Sequence, residues 1–366
     1  MPKMDHAARR VRAAARSRAA GVAALLLAPG SDLTYLSGYR IFSSERLTCL
    51  VLANDGTATL VVPELEAPRA ADRAPDVARA TWGETADPYA LVASLVREAG
   101  ALAVSDQMWA SFALRLQDKL GDREFRVASE ITRDLRMRKD PAELDALRVV
   151  SAAADRAYVR ALDLEFAGRT EREIGADLAA LLRDEGHDEV MFTIVAAGED
   201  GASPHHQTGD RKINRGDTVV LDFGGTRDGY GSDITRTVHV GDRPGEEIVR
   251  VHDAVRRAQE AGYAAARTGA TAQSVDAAAR AVIAEAGYGE FFIHRLGHGI
   301  GLDGHEHPYL VSGNEQLLEP GMAFSIEPGI YLPGRFGVRI EDIAMLGDDG
   351  SCEGLNRVDH ALAIVR

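Results

Sequence analysis

Apolar residues in this chain gather in short, β-branched runs. Between them lie stretches where apolar positions recur every three or four residues, the pattern of strands interleaved with amphipathic helices. An arginine-bearing segment (Arg9, Arg10, Arg12, Arg16, Arg18) reads as a surface helix, followed by a strand at Val22–Ala28 that Pro29-Gly30-Ser31-Asp32 turns. Thr48–Ala53 and Thr57–Val62 flank Asn54-Asp55-Gly56, a hairpin signal, because these residues tolerate the positive φ of tight turns. A helix at Pro88–Glu98, a strand at Ala101–Ser105 and a helix at Trp109–Leu120 complete a smaller α/β domain with a mixed sheet, assigned to residues 1–130.

The second domain, residues 131–366, begins with a helix whose start is written out. Asp140 caps it, Pro141 takes its first position and Glu143 closes a capping box, with the helix running to about Glu165. Thr170 and Glu173 repeat the signal for a helix to about Asp184. Strands are expected at Met191–Ala197 and Thr218–Phe223, then helices at Glu246–Arg267 and Ala272–Ala286, then strands near Ala323–Tyr331, Gly337–Leu346 and His360–Val365.

The apolar pattern is broken by carboxylates. In Leu221–Thr237 an apolar run carries Asp222, glycines 224, 225 and 229 suggest a turn, and the returning strand carries Asp233. Glu327 in S-I-E-P-G-I-Y and Glu341 in V-R-I-E-D-I repeat the anomaly. Acids in strand-forming runs are costly to bury unless positive charge meets them, and facing carboxylates repel, so divalent cations would resolve both problems. Ten of the eleven histidines follow residue 186, among them His298 in G-H-G-I-G-L and His305 in G-H-E-H-P, which places the chemistry in the second domain.

Composition narrows the alternatives. A net charge of −14 argues against nucleic acid or an anionic membrane as partner. Two cysteines, Cys49 and Cys352, in unrelated contexts build neither a disulfide framework nor a cysteine zinc site, which fits a reducing cytoplasm. The arginine-rich start followed by Ala19–Ala28 has the outline of a signal peptide, but cleavage there would remove a strand. No nucleotide-binding glycine motif follows a strand, and the helical H-E-x-x-H zinc motif is absent.

The order Asp222, Asp233, His298, Glu327, Glu341, within L-D-F-G-G…S-D-I-T-R-T, G-H-G-I-G-L-D-G-H-E, E-P-G-I-Y and V-R-I-E-D, resembles the ligand set of the pita-bread metallopeptidases, which include methionine aminopeptidase, aminopeptidase P and prolidase. The resemblance implies a pseudo-symmetric carboxy-terminal catalytic domain holding two divalent ions (Mn, Co or Zn) per subunit, with Asp222 on one, His298 and Glu327 on the other, and Asp233 and Glu341 bridging. It implies hydrolysis by a metal-bridged hydroxide, with Glu327 moving the proton. It also assigns substrate contacts to His205, favoured over His206, and to His305, while Arg339 either pairs with a bridging carboxylate or binds a substrate carboxylate. Tyr230 is a candidate pocket residue.

The large amino-terminal domain favours the proline-specific branch, acting on small Xaa-Pro peptides, and the resemblance to that branch implies a homodimer. Arg46, or Arg40, in the segment after Tyr39 is positioned in sequence to meet a dipeptide's free carboxylate, which favours a dipeptidase (prolidase). The alternatives are aminopeptidase P and, from a different class, a metal-free binding protein or creatinase-like amidinohydrolase.

Overall fold

A computed structural model describes residues 4–366. The chain forms two compact units, one ending at Arg136 and one running from Met137 to Arg366.

In the first unit, α1 (His6–Ala19) leads into β1 (Val22–Leu27) and α2 (Ser31–Ser37). β2 (Cys49–Ala53) and β3 (Ala58–Pro63) form the expected hairpin, then α3 (Ala67–Arg73), β4 (Ala78–Trp82), α4 (Pro88–Leu95), β5 (Ala101–Val104), α5 (Ala110–Leu120), β6 (Phe125–Val127) and α6 (Ser129–Met137) follow. The sheet order is β4-β3-β2-β1-β5-β6. Pairs β1–β2 and β2–β3 are antiparallel and the other three parallel, so the sheet is mixed. Helix α1 is where the pattern put it, but Arg9 and Arg10 are not surface residues. Arg9 is 1 % exposed and stacks over the Tyr35 ring, and Arg10 donates to Asp76 and to the carbonyl of Leu36. A long aliphatic stem can be buried when its guanidinium finds acceptors.

The second unit starts with α7 (Pro141–Ala161) and α8 (Glu171–Asp184), both entered through complete capping boxes. Strands β7 (Glu189–Ala197), β8 (Thr218–Arg227), β9 (Tyr230–Gly231) and β10 (Ile234–Val240) precede α9 (Glu246–Ala265) and α10 (Ala272–Glu285). The chain closes with β11 (Gly297–Gly299), β12 (Glu306–Leu310), β13 (Ala323–Ile326), β14 (Gly329–Leu332), β15 (Phe336–Arg339), β16 (Asp342–Leu346), β17 (Cys352–Gly354) and β18 (Ala363–Val365). Two halves repeat one plan. Helices α7 and α8 pack Tyr158, Ile174 and Leu178 on Leu221, Phe223, Ile234 and Val238 of the β18-β10-β8-β7 sheet. Helices α9 and α10 pack Val255, Ala258, Val275 and Ala279 on Phe324, Ile326 and Ala344 of the β12-β11-β13-β16-β17 sheet.

Three expectations are corrected. The runs Ala323–Tyr331 and Gly337–Leu346 are not single strands: each breaks where the chain leaves the five-stranded sheet for the β14–β15 ribbon, and Glu327 and Glu341 sit at the breaks. Asp233 likewise lies between β9 and β10 rather than within a strand. Gly224 and Gly225 do not turn the hairpin; Asp228 and Gly229, with φ of 52° and 89°, do. The two earlier glycines are strand positions where backbone comes too close for a side chain, a Cβ on Gly224 falling 2.1 Å from the Ser232 carbonyl oxygen. Among the described residues no helix is long and apolar enough to cross a membrane.

Candidate metal centre

Side-chain alternation sends the acids inward. Leu221 and Phe223 face α7 and α8, so Asp222 faces the opposite side of β8; Val338 and Ile340 pack in the core, so Arg339 and Glu341 point away from it. Asp233, His298 and Glu341 converge, each offering a ligand atom within 4.8 Å of the others. Glu327 joins them, its Oε1 lying 3.4 Å from His298 Nε2, while Asp233 Oδ2 lies 3.8 Å from that nitrogen. Asp222 is held by Arg339, whose Nη2 donates to Oδ2 at 2.6 Å.

This grouping is electrostatically incomplete. Asp222 Oδ1, Asp233 Oδ1 and Glu341 Oε1 are all buried without a hydrogen-bond partner, although such groups normally find one. His298 donates Nδ1–H to the Gly299 carbonyl, which can only accept, so Nε2 presents a bare lone pair to two carboxylates. Burial lowers the pKa of His298 to about 3, so the ring is neutral and offers those acids no charge. Burial also raises Asp233 and Glu341 well above the usual carboxylate range, with repulsion from neighbouring acids adding to it. Glu327 rises to about 7 for the same first reason, although Arg339 opposes the shift. Oxygen-rich ligands with one imidazole suit first-row divalent ions, and this donor set fits them.

A pH dependence follows for the metal-free protein. The folded state keeps protons that the unfolded chain has lost above its ordinary carboxylate pKa, so it binds more protons, and stability falls as pH rises from about 4.5 through 7. Glu327, raised to about 7, shares this loss with Asp233 and Glu341. Thermal melts of chelator-treated protein should therefore drop steadily between pH 5 and 8, and saturating divalent metal should remove most of the slope; a flat chelated profile would contradict the cluster's electrostatics.

Surrounding residues fix the acids in place. Thr235 Oγ1 donates to Glu341 Oε2 at 2.7 Å, and Ser325 Oγ donates to Glu327 Oε1 at 3.1 Å. Arg339 is 4 % exposed and donates to Asp222, Thr235 and Tyr331; Tyr331 bonds His294 Nε2, whose Nδ1 reaches the Arg295 carbonyl. Arg236, 1 % exposed, donates to the carbonyls of Thr235 and Glu341 and to Asp342, joining the strands on either side. Motif spacing gave no sign of Ser325, Thr235 or Arg236, although T-R-T beside Asp233 was in view. Phe192 and Ile194 were missed too; they pair with Gly224 and Asp222, and so share the Asp222 face.

The remaining candidates divide. The His305 ring stands 3.9 Å from that of His298, and the buried Lys139–Glu306 pair at 2.5 Å ties down its neighbour. His205 is exposed and close enough to His294 and His305 to act on both electrostatically. His206 is turned away to Glu171, at 2.7 Å. Arg339 pairs with Asp222, not with Asp233 or Glu341, the acids expected to bridge. Tyr230 is 2 % exposed and its hydroxyl donates to Glu143 on α7. Arg46 belongs to the first unit, where Glu45 and Glu84 already hold its guanidinium.

Comparison with known proteins agrees with this geometry. Residues 9–138 match the creatinase/prolidase N-terminal domain and residues 145–348 match metallopeptidase family M24. The chain is 46% identical over 365 residues to a probable dipeptidase PepE of Mycobacterium tuberculosis, covering 98% of this chain and 96% of the relative. It is 35% identical over 329 residues to an Xaa-Pro dipeptidase of Pyrococcus horikoshii, covering 90% and 91%. The crystal structure of a prolidase from Thermococcus sibiricus superposes with a TM-score of 0.94 at 37% identity, covering 99% of this chain and 100% of the other. The smaller α/β domain followed by a pita-bread catalytic domain, expected from the motifs, is the architecture found. By sequence, fold and the acids at its centre, the chain belongs to metallopeptidase family M24.

Proposed function

We propose that this metallopeptidase is an Xaa-Pro dipeptidase that uses two divalent ions (Mn, Co or Zn), held by Asp222, Asp233, His298, Glu327 and Glu341. The observation that carries the reading is the convergence of Asp233, His298 and Glu341, with Glu327 3.4 Å from His298 Nε2 and buried oxygens of Asp222, Asp233 and Glu341 left without hydrogen-bond partners. The names of the relatives, dipeptidase and Xaa-Pro dipeptidase, support the substrate class. When bound, the ions activate a water molecule and polarise the scissile carbonyl.

The chain's own residues do the rest. Ser325 occupies Glu327 Oε1, which leaves Oε2 to take the proton of the attacking water and deliver it to the proline nitrogen as that amine departs. Arg295 Nη2 lies 3.5 Å from His305 Nδ1, an arrangement that keeps the ring proton on Nε2. Burial lowers the His305 pKa, so the ring works as a neutral donor to the carbonyl oxygen as negative charge builds there. His205, exposed and near His305, is the second imidazole assigned to the substrate. Phe192 and Ile194 offer apolar surface to a proline ring, whose nitrogen carries no N–H to satisfy. A cytoplasmic homodimer is the assembly we infer.

The test is a rate ratio at defined metal content. Ala-Pro should be cleaved well ahead of Ala-Pro-Ala. Equal rates would point instead to an aminopeptidase, and a metal-free, inactive protein would point to a binding module.

A further inference from the structure

His205 sits on a segment that leaves the end of β7 and returns along its free edge, and one buried side chain gathers that whole segment. Glu171, the first residue of α8, has no exposed surface. Its Oε1 accepts the N–H of Ala197, where the segment begins, at 2.8 Å. Its Oε2 accepts the N–H of Gly209, where the segment ends, at 3.0 Å, and Nε2 of His206, in the middle, at 2.7 Å. Thr208 reinforces the return: its Oγ1 takes the N–H of Val195 at 2.9 Å and donates to the Thr193 carbonyl at 3.0 Å, occupying ladder positions on the edge strand.

Glu171, Asp200 and His206 also lie close enough together to suggest a cation site. The contacts argue against one. Both Glu171 oxygens already face N–H donors, whose positive ends occupy the directions from which a cation would approach. Asp200 stands 3.9 Å from His206, beyond hydrogen-bond reach.

We propose that His206 and Glu171 are positioning residues: the His206–Glu171 contact fixes the 198–209 segment so that the adjacent His205 is presented to the substrate. The two neighbouring histidines thus have opposite tasks, one facing the substrate and the other anchoring the chain. The inference rests on the reading of His205 as a substrate contact. The physical basis is that a charge-assisted hydrogen bond to a buried carboxylate is strong, and that a displacement of about 1 Å in a substrate-contacting group costs about 10²-fold in rate.

Four metal-loaded forms decide the matter: wild type, H205A, H206A and H206Q, with the H205A/H206A double variant closing a cycle. H206A should lower kcat/KM on Ala-Pro by about 10- to 100-fold. H206Q, whose side-chain N–H reaches the same oxygen, should restore most of it, and metal content should stay at the wild-type value in all forms. Because His206 acts through His205, the double variant should be no slower than H205A alone. Amide hydrogen exchange across residues 198–209 should accelerate in H206A and not in H205A.

Losses that multiply in the double variant would overturn the proposal, as would a metal ion lost specifically from H206A or unchanged exchange in that variant. If H205A hydrolyses Ala-Pro at the wild-type rate, the failure lies with the substrate-contact reading of His205, and the exchange data still report whether the anchor exists.

Discussion

Glutamine in place of Glu327 is expected to lower kcat on a proline dipeptide by about 10²- to 10⁴-fold, the range that a positioned acid–base group contributes. The substitution keeps the side chain's shape and its contact with Ser325 Oγ, so the backbone between β13 and β14 has no reason to move. It removes the carboxylate oxygen, Oε2, that Ser325 leaves open to accept and release the proton. Because Glu327 is also a candidate ligand, the assay belongs at saturating metal with occupancy measured in parallel. A variant with full occupancy and kcat within tenfold of wild type would take the proton-transfer role away from Glu327.

The largest effect on stability should come from Arg339→Met. Its guanidinium is buried with hydrogen bonds to Asp222, Tyr331 and Thr235, and although burial opposes its charge, Tyr331 and the surrounding acids hold its pKa well above the ordinary value. Methionine fills similar volume but leaves a buried carboxylate without its cation, a change that typically costs about 3–5 kcal/mol. It also withdraws positive charge that now restrains the pKa of Glu327, Asp233 and Glu341, so the chelated variant should lose stability with rising pH more steeply than the chelated wild type. Urea unfolding with and without metal measures both effects, and a loss below about 1 kcal/mol would mean that Arg339 is not needed to compensate these acids. Lysine should rescue poorly, since one ammonium cannot reproduce donors splayed toward three partners.

Local signals were legible because they depend on neighbours in sequence. The Asp140–Glu143 and Thr170–Glu173 boxes form as written, and Asn54-Asp55-Gly56 turns β2 into β3. The acids were legible for a different reason: a carboxylate in an apolar run is anomalous wherever the chain takes it. Where a motif lay across a change of sheet the reading failed. The runs around Glu327 and Glu341 look continuous in sequence because the apolar alternation persists through the break, yet the chain changes sheet there. The same alternation hid Gly224 and Gly225, whose need for a bare backbone arises only when Ser232 and Glu189 are brought against them.

Periodicity, capping and the cost of burying charge act within a few residues, so the α/β class, the helix starts and the unusual acids could be read along the chain, and the family resemblance ordered the candidate ligands. Tertiary structure alone decided the partners: Arg339 with Asp222, Tyr230 with Glu143, His206 rather than His205 with Glu171, and Arg236 across the strands beside Asp233 and Glu341. Those pairings depend on register and on which face of a strand is turned toward which neighbour. Contacts between residues 35 to 117 positions apart set these, and no local preference encodes them.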